Sequence, residues 1–467
     1  MRARSLLTLA LVSALVLGGA AGAADARPKP RKPAITAVTP SVVGAAGGMV
    51  VELRGRGFAK VRSVRLGGKP VTGLRVRAGR ITFTAPAAVA GTRWVVVRTA
   101  AGRARRAVLV RQAWTSVSAG RSYTCGIRRP HTAWCWGDNL NGVVGGGPVG
   151  AFIRSPRQLP GEWRQIAAGS LSTCGIRLDK SLWCWGYNAE GQVGDGTTTT
   201  RKVPVRVAPG TTWRHVSVGL SHTCGIRTDR TAWCWGDDDF GELGDGAVTG
   251  DGANPHLPAQ VGGGAGTWSS VEAGSYFTCG IDIGGTWCWG ENSADGQLGT
   301  GETYAERDKS PTPLLLGVTA TQLDVGADHA CAVVAAATRC WGTGSFGRLG
   351  TGATAGAAVP TPVAGAGRPT LAVTTGDSHS CSLDSRSVVL CWGRNQAGEV
   401  GDGTSSQRRR PTVVAGRLTF KQVSSGYAHT CAVTLAGALV CWGRSGEGQF
   451  GYPAALLRDP RRPTVVG

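Results

Sequence analysis

The 14 cysteines of this 467-residue chain fall into seven pairs that recur at a nearly constant interval. The members of a pair are nine or ten residues apart, and successive pairs begin 49 to 55 residues apart. A short polar turn separates two flanks rich in aromatic and β-branched residues, so each pair predicts a β-hairpin. The pairs are Cys125 with Cys135, Cys174 with Cys184, Cys224 with Cys234, Cys279 with Cys288, Cys331 with Cys340, Cys381 with Cys391, and Cys431 with Cys441.

Glycine and tryptophan repeat in the same phase as the cysteines. A glycine lies five residues before each first cysteine, and Trp-Gly directly follows each second cysteine. Glycine-rich turns come next, for example at 191–196, 241–246 and 398–403. A unit of this length with several short strands and regular turns predicts a β-propeller. Seven copies between residues 112 and 467 predict seven blades.

The repeated unit resembles the repeat of the regulator of chromosome condensation family. The copy GLSHTCGIRTDRTAWCWG (219–236) and the following GELGDG (241–246) carry the resemblance, which runs from Trp114 to Gly467. The secreted bacterial and α-tubulin-suppressor-like branches are the most similar. The resemblance implies a seven-bladed propeller. Two activities of family members are therefore candidates for this chain. They are nucleotide exchange on a small GTPase with chromatin binding, and inhibition of a bacterial β-lactamase.

The first 33 residues carry targeting and linker signals. Residues 1–26 combine a basic start, a short apolar run and small-residue cleavage sites after Ala23 or Ala26, which is typical of a secretory signal peptide. Residues 27–33, RPKPRKP, predict a basic, proline-rich linker. No later segment is long enough to span a membrane. We therefore expect a secreted or cell-surface protein without an integral membrane span, and a monomer.

Residues 34–111 differ from the repeats. They contain no cysteine, and strands such as MVVELRG, RITFTAP and WVVVRTA are bounded by glycine and proline. The segment resembles the IPT/TIG domain, which implies an immunoglobulin-like β-sandwich. The predicted fold class is therefore all-β: an N-terminal immunoglobulin-like sandwich at 34–111, followed by a seven-bladed propeller at 112–467.

The cysteine pairs favour structural disulfides, one within each repeat. Two cysteines opposite each other on a hairpin lie within disulfide range, and export favours oxidation. A metal site would require CxxC knuckles or mixed His and Cys ligands, and the sequence has neither. The tryptophans that share one repeat phase are interpreted as core between blades. A sugar-stacking platform is the alternative.

Four histidines stand two residues before a first cysteine: His222, His329, His379 and His429. Tyr123, Ser172 and Phe277 occupy this phase in the other repeats. Two interpretations stay open. The histidines bond a neighbouring loop, or the seven residues form a candidate binding face for a partner. A metal site is disfavoured because ligands on different blades rarely converge on one ion.

Charge is unevenly distributed along the chain. Residues 27–111 hold 19 Lys and Arg with a single acid, Glu52, whereas residues 112–467 hold 30 basic and 27 acidic residues. A concentrated positive field attracts polyanions. We expect the 27–111 segment to dock on an anionic cell-envelope polymer or anionic lipid. An arginine-rich composition without a function is the alternative.

No motif predicts catalysis. The run Asp237 to Asp239 lacks EF-hand spacing and is interpreted as a solvated loop. GxGxxG matches at 145–150 and 342–347 lack a βαβ context, and HExxH and GxSxG are absent. We expect no cofactor and no metal. The predicted function is a non-enzymatic binding or scaffold protein for an unknown protein or glycan. The alternatives are a secreted inhibitor of an extracellular enzyme, a polymer-acting enzyme, and a nucleotide exchange factor, the last disfavoured by the signal peptide.

Overall fold

The computed structural model describes residues 31–39, 42–44, 47–88, 91–111, 113–146, 148–249, 256–264, 266–303, 308–365, 367–451 and 460–466. The predicted signal peptide and residues 27–30 of the predicted linker lie outside these ranges. Regular structure in the described residues consists of 36 strands and one 3-10 helix, Ser345–Gly347. Within the same ranges, no helix has the length and apolarity needed to cross a bilayer.

The first nine strands form two sheets, in the orders β1-β3-β7-β6 and β2-β9-β8-β4-β5. Alternate residues of these strands, such as Val51, Leu53, Val95 and Val97, are fully buried in one core, as expected for two sheets that pack face to face. The strands are β1 Ala34–Thr39, β2 Val42–Gly44, β3 Val50–Arg56, β4 Val61–Leu66, β5 Lys69–Pro70, β6 Thr72–Arg77, β7 Arg80–Thr84, β8 Gly91–Thr99 and β9 Gly102–Arg111.

The remaining 27 strands form seven four-stranded units, which we call blades 1 to 7. Blades 1 and 2 share one long strand, β13, whose ends belong to different blades. In blades 1 to 3 the strands are β10 Trp114–Ala119, β11 Tyr123–Arg128, β12 Thr132–Asp138, β13 Phe152–Ala168, β14 Ser172–Arg177, β15 Leu182–Gly186, β16 Arg201–Val207, β17 Trp213–Val218, β18 His222–Arg227, β19 Ala232–Gly236 and β20 Ala259–Gln260.

Blades 4 to 7 repeat the same antiparallel order. Their strands are β21 Ser270–Ala273, β22 Phe277–Asp282, β23 Gly285–Asn292, β24 Asp308–Leu315, β25 Ala320–Val325, β26 His329–Val334, β27 Ala337–Gly342, β28 Ala357–Pro362, β29 Thr370–Thr375, β30 His379–Asp384, β31 Val389–Gly393, β32 Arg408–Val413, β33 Phe420–Ser425, β34 His429–Thr434, β35 Leu439–Gly443 and β36 Thr464–Val465. This architecture confirms the predicted all-β fold. The exact domain boundaries stay a prediction.

The blades close into a ring through seven glycines. An ideal Cβ on any of these glycines would overlap the backbone carbonyl oxygen of the corresponding glycine in the next blade, and the last glycine meets the first. Only a residue without a side chain permits this approach, which explains the glycine five residues before each first cysteine. The contacts in order are Gly120–Gly169, Gly169–Gly219, Gly219–Gly274, Gly274–Gly326, Gly326–Gly376, Gly376–Gly426 and Gly426–Gly120.

The last blade is complete in itself. β36 pairs with β35 within the same repeat, with Cys441 opposite Thr464. Among the described residues, the ring therefore closes by packing between the first and last blades and not by an exchanged strand. Gln422 of blade 7 makes both backbone bonds to Val117 of blade 1, since its Oε1 accepts from the amide at 3.0 Å and its Nε2 donates to the carbonyl at 3.1 Å.

Each cysteine pair forms a disulfide inside one blade, as predicted. The two cysteines of every pair are directly opposite in the ladder between the second and third strands, with Cα atoms 4.0 to 4.1 Å apart. All 14 cysteines are bonded in this way, so spacings of nine and ten both suit the hairpin. The bonds join Cys125 to Cys135, Cys174 to Cys184, Cys224 to Cys234, Cys279 to Cys288, Cys331 to Cys340, Cys381 to Cys391, and Cys431 to Cys441.

Two of the three tryptophan sets form the predicted core between blades. The tryptophans after each second cysteine are fully buried, and those that open blades 1 to 4 are at most 3% exposed. The third set, Trp134, Trp183, Trp233 and Trp287, corrects the expectation because these rings are only half-buried. Three of them are covered by arginine side chains, as where the Arg227 guanidinium lies 3.5 Å from the Trp233 ring and 5.3 Å from Trp213.

Candidate functional site

The candidate binding face predicted from Tyr123, Ser172, His222, Phe277, His329, His379 and His429 is not a surface. All seven side chains are buried, with exposed fractions of 0 or 1%. Each one begins the second strand of its blade, and the first strand of the following blade packs against that second strand. The structure therefore corrects the expectation of a partner-binding ring and supports the hydrogen-bonded interpretation.

Each histidine bonds a hydroxyl group in the next blade. The acceptor is the Thr or Ser one residue before the next first cysteine, and the distances are 2.8 to 2.9 Å. That hydroxyl in turn donates to a backbone carbonyl of the histidine's own blade, which also accepts the indole Nε1–H of the following blade's tryptophan. The pairs are His222–Thr278, His329–Ser380, His379–Thr430 and His429–Thr124.

The proton count of this contact assigns the histidine tautomer. A hydroxyl has one proton, and Ser380 gives it to the carbonyl of Arg348 at 2.8 Å. The Nε2 of His329 must therefore donate to Ser380. Burial lowers the pKa of His329 well below its usual value, so the ring is neutral, its one proton is on Nε2 and Nδ1 is bare. The Nδ1 atoms of all four histidines are buried without a partner among the described residues. Burial lowers the pKa of His222 and His379 to about 3 and of His429 to about 4.

The other residues in this phase use different chemistry at the same junction. The Tyr123 hydroxyl lies 2.8 Å from the Thr173 hydroxyl, and burial raises the pKa of Tyr123. Phe277 faces the blade that has Ala330 in place of the hydroxyl residue, and both belong to one apolar cluster. An apolar ring is therefore matched by an apolar partner.

A channel of about 650 Å³ runs through the centre of the ring and is lined by the first strands of the seven blades. Four titratable residues on these strands line the channel: Arg164, His215, Glu272 and Asp324. The His215 Nε2 lies 3.1 Å from the Glu272 Oε1 and 2.9 Å from the Val271 carbonyl. Burial alone would lower the pKa of His215, but the Glu272 charge and these bonds raise it.

The two carboxylates on the channel strands, Asp324 and Glu272, are already bonded to other groups of the protein. Asp324 Oδ2 accepts the amide of Thr375 in the next blade at 2.6 Å and its hydroxyl at 3.1 Å. Glu272 is bonded to His215 and to Ser270. The bonds of Asp324 to Thr375 and of Glu272 to His215 join neighbouring blades. Serine and threonine do the same at this position elsewhere, for example Ser118 with the Ala168 amide. The arrangement does not present a free acid and base pair.

One end of the channel opens onto a face that we call the mouth face. It consists of the turns between the first and second strands and the loops that follow each Trp-Gly. The backbone amide at the start of each loop donates to a carbonyl in the turn of the same blade, so the two sets are held together in every blade. The turns are 121–122, 170–171, 220–221, 275–276, 327–328, 377–378 and 427–428, and the loops are 138–142, 187–191, 237–241, 291–296, 343–347, 394–398 and 444–448.

The partly exposed Phe and Tyr side chains of the described propeller concentrate on the mouth face. In the described part of the propeller, Tyr187, Phe240, Tyr276, Phe346 and Tyr427 are half-buried or exposed and lie in its turns and loops. The only other partly exposed Phe or Tyr in these ranges is Phe152, which pairs with Asp138 at the edge of the same face. Phe240 and Tyr276 form an edge contact with ring centroids 5.6 Å apart. The Arg121 guanidinium lies 5.4 Å from the Tyr427 ring.

Sequence reasoning missed these aromatic residues. A signal for them exists, because Phe240 and Phe346 each stand five residues after the Trp that follows a second cysteine. The strand periodicity that revealed the core does not extend into loops. The loops therefore give no indication of which side chains share a face until the blades are assembled.

The structure also corrects the interpretation of Asp237 to Asp239 as a solvated loop. Asp238 is fully buried, and its Oδ1 accepts the Leu243 amide at 3.0 Å. Asn188 makes the same bond to Val193 in blade 2. Burial raises the pKa of Asp238 to about 6, and burial together with the Asp237 charge raises the pKa of Glu242 to about 9. Across the described residues, no group of three or more His, Cys, Asp or Glu side chains is placed to hold a metal ion.

Comparisons with known proteins agree with this architecture. The regulator of chromosome condensation (RCC1) repeat and the IPT/TIG domain both match the chain. Two models of the repeat match residues 179–226, 340–383 and 388–433, and residues 114–143, 163–192, 213–242 and 420–449. The IPT/TIG domain matches residues 33–106.

Two curated relatives illustrate the sequence similarity. The ultraviolet-B receptor UVR8 of Arabidopsis thaliana is 34% identical over 150 residues, which is 31% of this chain and 33% of the receptor. The human E3 ubiquitin-protein ligase HERC2 is 30% identical over 139 residues, which is 29% of this chain and 3% of the ligase. The chain thus spans a third or less of the length of these relatives.

Two solved structures share the fold. Human WBSCR16 has a TM-score of 0.64 at 20% identity, with 73% of this chain and 94% of that chain covered. Yeast RCC1 (Prp20) in its structure with Kap60 has a TM-score of 0.63 at 20% identity, with 76% of this chain and 84% of that chain covered. At this identity the likeness shows the fold alone.

Proposed function

Because the chain carries RCC1 repeats preceded by an IPT/TIG domain, we propose that it is an exported, non-enzymatic recognition protein whose propeller binds another protein through the mouth face. The observation that carries the proposal is the location of the partly exposed Phe and Tyr side chains of the described propeller on that one face. Aromatic residues are enriched among the side chains that contribute most to protein interfaces, where they fill pockets of the partner.

Two further features of the mouth face support protein recognition. Arginine side chains lie against several of the aromatic rings, as where Arg394 stands 5.7 Å from Phe346, and arginine is the other residue type enriched in such interfaces. A second hollow of about 360 Å³ lies beside the channel opening, between Arg121, Leu140, Tyr427 and Arg444. Such a concave site beside exposed Leu140 suits an inserted partner side chain.

The test is capture of a partner with variants on and off the mouth face. The mature protein, immobilised, is exposed to the medium and envelope extract of the producing cell, and retained proteins are identified by mass spectrometry. We expect a retained protein that is lost with Phe346→Ala and Tyr427→Ala. It should be kept with Leu178→Ala and Leu435→Ala, which remove exposed apolar side chains away from the mouth face. Equal loss in both sets would contradict the assignment of this face.

Inhibition of an extracellular enzyme is a specific form of the same proposal. It requires that the captured partner be an enzyme and that the propeller cover its active site. Adding the protein to the purified partner and measuring its activity distinguishes an inhibitor from a scaffold. The nucleotide-exchange alternative is supported only by the shared fold, which does not carry an activity.

We also propose that the sandwich at 34–111, with the linker before it, docks the protein on an anionic component of the cell envelope. The support is the charge of this segment, with 19 basic residues and one acid between residues 27 and 111. Retention on purified cell wall should fall steeply as ionic strength rises, because salt screens exposed charges.

Export of the protein is supported by the predicted signal peptide and by the seven disulfides. Fractionation of the producing cell tests it.

A further inference from the structure

The outward side of the five-stranded sheet carries four exposed arginines, which we call the arginine face: Arg65 on β4, Arg98 on β8, and Arg103 and Arg105 on β9. Neighbouring residues such as Leu66, Val97 and Ala104 point into the sandwich core and are buried. Because successive side chains of a strand point to opposite sides, these arginines project away from the core on one surface.

The strand register brings the arginines together in two rows. Arg98 lies directly opposite Arg103, and Val96 lies opposite both Arg65 and Arg105. Adjacent strands are about 4.8 Å apart, and the two rows, two residues apart along β8, are separated by about 6.7 Å. Like charges directly opposite each other on neighbouring strands destabilise a sheet. The arrangement of Arg98 and Arg103 therefore has an unfavourable charge interaction that an anion between them would remove.

In the other sheet of the sandwich, an acidic side chain neutralises a similar pair of opposed arginines. Arg54 and Arg80 are also directly opposite each other, but Glu52 lies beside them, with its carboxylate 2.7 Å from the Arg54 Nε and 3.4 Å from the Arg80 Nε. The sequence contains no acidic residue between Glu52 and Asp138. Within the described ranges, no carboxylate forms an ion pair with the arginine face.

An exposed tryptophan supports one of these arginines. The Trp94 side chain is 45% exposed, and the Arg105 guanidinium lies 4.6 Å from its ring centroid. Stacking on an aromatic ring holds the planar guanidinium in a fixed orientation while its N–H groups stay available. Arg105 is thus partly ordered before any ligand arrives.

We propose that the arginine face binds a phosphodiester polymer of the cell envelope, with one phosphate between Arg98 and Arg103 and the neighbouring phosphates near Arg65 and Arg105. A carboxylate is satisfied by a single planar guanidinium fork, whereas the tetrahedral phosphate group presents oxygens that two opposed guanidinium groups can reach together. The successive rows suit an anion that repeats along an extended chain. This inference rests on the proposed docking role of the sandwich and assigns it a site and a ligand class.

The test measures binding of the secreted full chain to immobilised poly(glycerol phosphate) over a salt series. The double variant Arg98→Gln/Arg103→Gln is compared with Arg75→Gln/Arg77→Gln, which removes the same charge from exposed positions on β6 of the other sheet. We expect the first pair to weaken binding at least about tenfold and to flatten its salt dependence, and the control pair to weaken it less than about threefold. Thermal unfolding of each variant confirms that it is folded.

Several outcomes would overturn the proposal. Equal losses in the two double variants would reduce the interaction to net charge. Binding to polygalacturonate, a carboxylate polymer, as tight as to poly(glycerol phosphate) would remove the preference for phosphate. Tighter binding to single-stranded DNA would replace the envelope polymer as the occupant. If Arg98→Gln/Arg103→Gln is still retained on purified cell wall like the wild type, the docking role stands and this site is wrong. If neither the wild type nor any variant is retained on purified cell wall, the docking role itself is wrong.

Discussion

The imidazole Nε2 of His429 lies 2.9 Å from the hydroxyl oxygen of Thr124, and this contact joins the last blade of the ring to the first. Thr124 passes the bond on to the carbonyl of Gln449 at 2.9 Å, where the Trp136 indole also donates at 2.7 Å. The same set of groups recurs between other blades. Because these groups are buried, loss of one bond would leave an unpaired polar group in the interior, which lowers the free energy of unfolding.

Replacing Thr124 by valine should destabilise the closure of the ring. Valine has nearly the shape of threonine but leaves the buried Nε2–H of His429 without an acceptor, so we expect a loss of roughly 1–3 kcal/mol in the free energy of unfolding. Chemical denaturation followed by tryptophan fluorescence measures it. Thr198→Val, at an exposed loop position, is the control and should change stability little. Equal stability of the two variants would show that the contact contributes nothing.

Acid should weaken the protein through its buried histidines. In the unfolded chain their pKa is near 6.5, whereas burial lowers the pKa of His379 to about 3 in the folded state. The unfolded state therefore binds more protons between these values. The contribution of His379 is fully present above about pH 6.5 and falls by up to about 1.4 kcal/mol for each pH unit below it.

The measurement compares His379→Gln with the wild type by denaturation at about pH 7.5 and about pH 5. We expect the stability advantage of the wild type to shrink at the lower pH, while carboxylate titrations common to both proteins cancel. His131→Asn, at an exposed turn, is the matched control and should track the wild type. A difference between His379→Gln and the wild type that does not change with pH would mean that the imidazole is not buried and neutral. In ¹⁵N spectra, the four buried rings should show the Nε2–H form.

The glycine ring predicts a position-specific effect of one methyl group. Gly219→Ala would place its Cβ against the carbonyl oxygen of Gly274 in the next blade, so we expect a loss of about 1–3 kcal/mol or more. Gly446→Ala is the control, since nothing lies within 4 Å of a Cβ there. The melting temperatures of the two variants, each compared with the wild type, test this prediction. A Gly219→Ala protein that melts with the control would show that the blades do not meet at this point.

Asp238 offers a stabilising substitution. Its pKa of about 6 is above that of an unfolded aspartate, so its contribution is present at low pH and is lost as pH rises from about 4 through 6. Asp238→Asn keeps the acceptor for the Leu243 amide, as Asn188 does for Val193, without the buried charge. We expect the variant to be more stable by roughly 1–3 kcal/mol at about pH 8 and nearly unchanged at about pH 4. Glu162→Gln, an exposed charge removal, should show neither effect.

The histidine positions show where prediction from the sequence stopped. Their shared phase correctly placed them at the start of one strand in each blade. Strand alternation assigns a side chain to one side of a sheet, and in many proteins one side faces solvent. In a propeller each blade is covered on both sides by its neighbours, so a polar residue in that phase meets another blade. The same reasoning explains why Phe277 is tolerated opposite Ala330.

The sequence by itself determined the features whose partners are close along the chain. Each disulfide joins cysteines nine or ten residues apart across one turn, so spacing alone identified the pairs. The repeat length and the turn glycines determined the blades. The tertiary structure decided what depends on ring closure. Thr124 meets His429 across 305 positions, and the aromatic residues of separate loops share one face only because seven similar blades are held around a common channel. Repetition encodes the blade, but the geometry of closing the ring decides which side chains are buried between blades and which remain exposed.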